Sequence, residues 1–495
     1  MLENINGFLL TRKFDPTNDN ASLLFSKLFE TNVLSPSESI GQSRGAAVTN
    51  YLLELNHDVR GDTVEESPET ILAERPDFFR SFSVVVCCEI TEKALKTLST
   101  LLWDANIPLM VVRTVGFIGY IRLQIMEHCI IESHPDNELP DLRLDVPFPA
   151  LVDFMETQDM AKMDKKQHMH TPYLVILYKC LQDWKESHGG EMPKTYREKK
   201  VFKELIQERV LKNADGVPED EENFAEAVAA VNSSLHPTVV PDEITAIFED
   251  EQCRNLTAKS NDFWVITRAI KEFVADTGYL PVRGSIPDMF SDSERYIRLH
   301  QVYNDKAAED SRAVFKRVQD LLESVGRPND QISEAHVKKF CKEAFHLRLV
   351  RGDDSLCDEM NGRSANKAEV INTFEREPES PLMFYYILKG SDRFFTEFNT
   401  LPGASSDDQV EPDITKLKKC TADVLAEHGL PASIVKDEFV HEVSRCGGTE
   451  LHAMASILGG IAAQEAIKLI TKQYVVANNL FIYSAMTSET ITLKV

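Results

Sequence analysis

Phe82-Ser-Val-Val-Val-Cys-Cys88, Thr91-Glu-Lys-Ala-Leu-Lys-Thr-Leu-Ser-Thr-Leu-Leu102 and Ile107-Pro-Leu-Met-Val-Val112 follow one another with only short breaks. The two outer segments are continuous apolar runs, the pattern of strands buried on both faces of a parallel sheet. Between them Leu95, Leu98, Leu101 and Leu102 recur at helical spacing. They stand behind Thr91, a residue type that caps helix N-termini. Strand, helix and strand in so short a span make a βαβ unit, and the class is therefore α/β.

Toward the C-terminus, Gly116-Phe-Ile-Gly119 marks a turn between strands. After Gly119, Tyr-Ile-Arg-Leu-Gln-Ile125 alternates polar and apolar residues, as a more exposed strand does. Toward the N-terminus, Ala46, Ala47, Tyr51, Leu52 and Leu55 predict a helix over Gly41 to Leu55. Near the end of the chain, Leu451 to Thr471 is predicted helical, with Met454, Leu458, Ile461, Ala462, Ala466, Leu469 and Ile470 apolar. Gly459-Gly460 in its middle costs about 1 kcal/mol per glycine relative to alanine. Such a cost points to a close backbone contact with another element. Tyr474-Val-Val476, Leu480-Phe-Ile-Tyr483 and Thr490-Ile-Thr-Leu-Lys-Val495 have strand character.

From about residue 148 to 405 the pattern is nearly all helix. Thr171-Pro172 opens one helix, and Gly189-Gly190 closes it. Thr195–Val210, Glu221–Leu235, Asp262–Ala275, Ser333–Leu347 and Leu382–Phe398 are others. A long helix is expected from Ser291 to Val325, capped by Ser291 or Ser293 and buried along Tyr303, Ala307, Val314, Val318, Leu321 and Val325. The acidic loop from Gly216 to Asn223 is expected to set carboxylates at the positive end of the next helix.

The 495 residues suffice for several domains. Hydrophobic residues make up 43% and charged ones 27%, a globular balance. The net charge of −25 disfavours nucleic acid and anionic membranes, both of which select clustered Lys and Arg. No apolar run looks long enough to span a bilayer, and the acidic, polar start is wrong for a signal peptide. Nine scattered cysteines without a Cys-x-x-Cys pair indicate a reducing compartment, cytoplasm or nucleus.

Val84–Cys88, Leu102-Trp-Asp-Ala-Asn-Ile-Pro-Leu109 with Gly116-Phe-Ile-Gly119, and Gly459-Gly-Ile-Ala-Ala-Gln-Glu-Ala-Ile-Lys468 together resemble the adenylation fold of enzymes that activate ubiquitin-like modifiers. Further blocks lie between them: Glu132-Ser-His-Pro-Asp-Asn-Glu-Leu139, Asp141-Leu-Arg-Leu-Asp145, His170-Thr-Pro-Tyr173, Pro193-Lys-Thr-Tyr-Arg-Glu-Lys199, Leu211-Lys-Asn213, Pro218-Glu-Asp-Glu-Glu-Asn-Phe224 and Leu280-Pro-Val-Arg-Gly-Ser-Ile-Pro-Asp-Met289. These look like the regulatory-subunit family of the neddylation-activating enzyme. The resemblance covers residues 30 to 495. It implies a Rossmann-like adenylation-type domain with a large all-helical insertion, divided as 31–147, 148–405 and 406–495. Residues 1–30 hold none of the family's opening motifs, so the α/β domain is expected to be incomplete at its N-terminus.

The resemblance further implies a heterodimer. The catalytic subunit would bind ATP and Mg, adenylate the ubiquitin-like modifier and form the thioester, while this chain would hold no cofactor. The segment that contacts the catalytic subunit matches Asp288, Met289, Phe290, Ser291, Asp292, Ser293, Glu294, Arg295, Tyr296, Ile297, Arg298, Leu299, His300 and Gln301. His170 matches a second contact position. Tyr296, Arg295 and Arg298 are of the residue types enriched at interface hot spots.

The residues agree with a silent subunit. No cysteine stands in the family's Pro-x-Cys-Thr setting, and Cys253 is the most exposed-looking candidate nucleophile. No glycine-rich phosphate cradle or P-loop occurs. Arg44 and Glu89 replace residues that active relatives use and are more simply surface groups. His168-Met-His170 has the spacing of two metal ligands but no third in view. Three readings compete with this one: an independent ATP-dependent adenylating enzyme, a regulatory subunit of the related SUMO-activating complex, and a helical scaffold. The absent cradle opposes the first, the middle blocks the second, and the βαβ unit with the Gly-Gly helix the third.

Overall fold

The computed structural model describes residues 7–12, 44–56, 58–88, 90–404 and 407–495. It divides into an α/β unit, residues up to 130 and from 349 on, and a helical unit, residues 131–348.

The α/β unit is built on strands β1 (Gly7–Arg12), β2 (Phe82–Cys88), β3 (Leu109–Val115), β4 (Ile118–Gln124), β5 (Glu127–Ile130), β6 (Arg348–Arg351), β7 (Leu480–Ser484) and β8 (Glu489–Leu493). Six of them form one sheet in the order β1-β2-β3-β4-β7-β8, and β5 pairs with β6 separately. The predicted βαβ is present. β2 and β3 run parallel, with Val85 opposite Leu109, and the helix Glu92–Asp104 joins them behind the Thr91 cap. Every other pairing in the six-stranded sheet is antiparallel, so the sheet is mixed. The predicted turn falls between β3 and β4. Gly116 has φ +53° there, and a Cβ on it would lie 2.4 Å from the Cys446 sulfur.

Strand alternation sends side chains to two covered faces. Val85, Cys87, Leu109, Val111 and Tyr120 share one core with Leu98, Leu102 and the helix Leu382–Phe398. Val84, Val86, Met110, Val112, Ile121 and Leu123 share another with Leu458, Ala462, Ala466 and Leu469 of the helix His452–Thr471. That last helix is long and apolar enough to cross a membrane, contrary to the expectation from sequence. One side of it packs on the sheet.

Three further expectations fail for physical reasons. β4 is buried at all seven positions although its sequence alternates. Its polar row is neutralised inside. The Arg122 Nε and Nη2 lie 2.8 and 2.7 Å from Glu359 Oε2. Lys389 Nζ lies 2.9 Å from the other carboxylate oxygen, to which the Tyr385 hydroxyl also donates. Gln124 exchanges two hydrogen bonds with Ser99 and accepts a third from the Leu356 amide. Tyr474-Val-Val476 is not a strand: Tyr474 sits at φ +59°, where no strand continues. The helical unit also ends earlier than expected, at 348 instead of 405. Leu356, Val370, Phe374 and the Leu382 helix bury their apolar stripes in the first sheet core. The expectations for residues 1–6 and 13–30 lie outside the described residues.

The helical unit closes around Leu174, Leu177, Leu181, Phe202, Ile206, Phe224, Leu299 and Tyr303. Helix limits fall near those expected: Tyr173–Ser187, Tyr196–Glu208, Glu222–Ser234, Asp262–Thr277 and the long Ser293–Ser324. The long helix is capped by Asp292, which accepts the Arg295 amide, and not by either serine.

Glu359→Gln would leave Arg122 and Lys389 buried without a counter-charge. A loss of about 3 kcal/mol is expected, measured as a lower urea midpoint for the α/β unit. An unchanged midpoint would deny the cluster its structural role. Burial alone would raise the Glu359 carboxyl, but Lys389 and Arg122, with the Tyr385 hydrogen bond, outweigh it and hold the carboxyl well below its ordinary 4.5. Its stabilisation is therefore full above that ordinary value and is lost as pH falls toward the depressed one.

Candidate functional site

His170 and the segment 288–301, assigned to one interface from sequence, do come together. A short helix, Lys165–Met169, opens with a capping box between Asp164 and Gln167. The chain then turns through His170 and Thr171 into the Tyr173 helix. Asn223 fixes the turn by donating to the carbonyls of His168 and Thr171 at 2.9 and 3.0 Å. The His170 ring stacks on Phe290, centroids 5.3 Å apart. Its carbonyl accepts the Asp292 amide at 3.0 Å. Arg295 reaches back to the Gln167 carbonyl and the Thr171 hydroxyl at 2.8 and 3.1 Å.

The members of this set then divide. Leu299 is core, and Met289 packs against the same core. Phe290 is half-buried, and its amide donates to Glu226. Tyr296 is half-buried, stacks on His300 and donates weakly to Asp288 at 3.4 Å. Arg298 lies over the Phe154 ring. Asp288, Ser293, Glu294, Ile297, Arg298 and Gln301 are exposed. Ile297 is 65% exposed and is the apolar centre of this face. It is among the residues expected at the interface from sequence, and it stands off the buried stripe of its helix.

His168 and His170 do not converge. His168 is buried, its Nδ1 2.7 Å from Glu221 Oε1, with the ring stacked on Phe224. Glu221 also accepts the Leu211 amide at 2.9 Å. It stands at the N-cap of the next helix without capping it through its side chain, because both its oxygens serve these contacts. Among the described residues no three His, Cys, Asp or Glu side chains gather as for a metal.

A second face lies in the α/β unit and was not among the expected site residues. The helix His452–Thr471 leaves Ala453, Ser456, Ile457, Gly460, Gln464 and Ile467 exposed, and Tyr474 and Val475 follow. Ile457, Ile467, Tyr474 and Val475 are 42 to 51% exposed. A Cβ on Gly460 would meet nothing within 4 Å. The close contact that the Gly-Gly pair implies is therefore not made at Gly460 by the described residues of this chain. The missed signal is a helix apolar on most sides, of which a single sheet can cover only one.

Cys253 is fully buried, not exposed as expected. Burial pushes its thiol up to about 11, against the pull of Lys271 and Arg268, so it is a protonated core group at neutral pH. Glu89 and the side chain of Arg44 lie outside the described residues.

No family model matches the chain. Curated relatives do. It is 46% identical to the NEDD8-activating enzyme E1 regulatory subunit of Gallus gallus over 465 residues, 94% of this chain and 86% of that one. It is 45% identical to that of Xenopus laevis over the same extent. Against the Drosophila melanogaster protein of the same name it is 39% identical over 468 residues, 94% of this chain and 85% of the relative.

Alkylation at neutral pH should reach the half-buried Cys88, Cys357 and Cys446 before Cys253, as mapped by peptide mass. Early labelling of Cys253 in the native chain would contradict its placement.

Proposed function

The chain belongs to the family of NEDD8-activating enzyme E1 regulatory subunits, and on that premise we propose that it is the non-catalytic half of a heterodimer, joined to its catalytic subunit through both exposed faces. The observation that carries this reading is Gly460. A residue costing about 1 kcal/mol in a helix interior stands exposed with open space in front of it, flanked by Ile457, Gln464 and Ile467. A backbone brought close there by a second chain accounts for the glycine and for the apolar stripe together. The Ile297 face of the helical unit supplies further contacts, with Arg298 and Gln301 beside the apolar centre and His170 and Arg295 bracing it from behind.

In this reading the α/β unit is an adenylation-type domain. ATP and Mg belong to the catalytic subunit, which adenylates the ubiquitin-like modifier and takes it as a thioester. This chain contributes a folded surface and no reacting group. The protonated, buried Cys253 supports that division of labour. All nine cysteines are free thiols, which suits the cytoplasm or the nucleus.

Two outcomes are expected at Gly460. Gly460→Ala should stabilise the isolated chain by roughly 0.5–1 kcal/mol, since the new methyl meets nothing. Gly460→Leu should keep that stability yet weaken association with the catalytic subunit at least about tenfold, as measured by calorimetry. Unchanged association for Gly460→Leu would remove this face from the interface. On the other face, Tyr296→Ala with Arg298→Ala should cost a few kcal/mol of association without loss of helicity, about the range of hot spots, and Ile297→Asp should do the same. If affinity survives both, the helical unit binds elsewhere. The isolated chain should catalyse no ATP–pyrophosphate exchange and form no modifier thioester. Exchange by the chain alone would reverse the assignment of roles.

A further inference from the structure

The short helix Leu356–Met360 closes in a turn that calls for glycine. Gly362 has φ +71°, and a Cβ on it would strike the Glu427 carbonyl. Its amide donates to the Glu359 carbonyl at 2.8 Å, and the Arg363 amide donates to the Asp358 carbonyl at 2.9 Å. That pair of bonds is the Schellman closure of a helix C-terminus. The residue before the glycine is Asn361, which is exposed and whose side-chain nitrogen reaches Cys357 Sγ at 3.5 Å. The demand for glycine at 362 therefore leaves the chain with an Asn-Gly dipeptide. A second, Asn6-Gly7, begins outside the described residues.

In an Asn-Gly dipeptide the backbone nitrogen can attack the side chain before it, because glycine neither hinders the approach nor restricts the rotation. Hydroxide takes the Gly362 amide proton, and the nitrogen bonds to the Asn361 Cγ. The bond from that carbon to the side-chain nitrogen breaks, and ammonia leaves with a proton returned by water. One water then opens the five-membered ring at either of its C–N bonds. The product is aspartate, or isoaspartate where the main chain now runs through the former side chain. The sum is one water consumed and one ammonia released.

The closed turn opposes the first step. The Gly362 N–H is committed to the Glu359 carbonyl, and Arg363 adds side-chain contacts to Asp358 at 3.1 and 2.7 Å. Glu359 is itself anchored through its carboxylate to Arg122, Lys389 and Tyr385. Freeing the nitrogen requires this helix end to open, and local openings follow the stability of the contacts they break.

We propose that Asn361 is a site of spontaneous deamidation, gated by the Glu359 cluster. The change is one-way. Isoaspartate adds a carbon to the main chain, so the Schellman bonds lose their register and Gly362 its place against the Glu427 carbonyl. Either product sets a new carboxylate three residues from Asp358, a like-charge spacing that destabilises a helix end.

The full chain is incubated at mildly alkaline pH beside the free peptide Glu359-Met-Asn-Gly-Arg-Ser364, in heavy-oxygen water. Aspartate and isoaspartate at 361 are separated and followed by peptide mass. Both are expected in the full chain, with the heavy label and more slowly than in the peptide. Glu359→Gln should accelerate their formation at least about tenfold, by loosening the cluster that holds the turn. Should that variant fail to fold, Tyr385→Phe, which leaves the charges paired, should accelerate it by a smaller factor in a chain shown folded by circular dichroism. No isoaspartate at 361 in the full chain once the peptide has reacted would overturn the site. Equal rates in chain and peptide, or in Tyr385→Phe and the unaltered chain, would overturn the gate.

Discussion

A carboxylate with almost no contact with water holds the α/β unit together. Glu359 meets Arg122 from the middle of β4, and Lys389 and Tyr385 from the Leu382 helix. Three elements distant in sequence thus share one charge. Two cations against one anion would be costly to bury unless the geometry were tight, since desolvation can exceed the Coulombic return. The gain is specificity. Sliding β4 by one residue would turn Arg122 and Gln124 toward the His452 helix and strand every member of the cluster. The apolar cores on either side of the sheet can form only in the register that this cluster selects.

The cluster also explains where sequence failed. Tyr120, Arg122 and Gln124 alternate with Ile121 and Leu123, and alternation ordinarily means one wet face. Here the second face is equally dry and its polar atoms are paired, which periodicity cannot register because the partners lie over two hundred residues away. The same limit displaced the unit boundary, because an apolar helical stripe does not say which core it joins. What depends on neighbours was legible: the βαβ unit, the β3–β4 turn and the Thr91 cap. Choosing serine over Asp292 was a local error among residues that all cap well.

The interface residues were legible in another way. Resemblance supplied His170 and the segment 288–301, and no periodicity would have joined them. The structure adds a mechanism, since the His170 turn is locked by Asn223 and braced by Arg295. It also shows that burial divides the segment, with Leu299 lost to the core and Ile297 left to face outward. The Gly-Gly pair was read as a mark of close approach, but no described residue of the chain makes that approach at Gly460.

The sheet has a further property. Ile121 pairs with Phe481 across β4 and β7, so the edge of β4 remains open while the entire helical unit is being synthesised. Loop closure costs only about 0.6 kcal/mol for each doubling of length, so the delay is a matter of time more than of equilibrium. During that interval a ribosome-bound chain presents an apolar strand edge of the kind that recruits stray strands. The helical unit, lying in one continuous piece of sequence, can fold meanwhile. The order of synthesis and the order of assembly then differ: the part begun first is finished last.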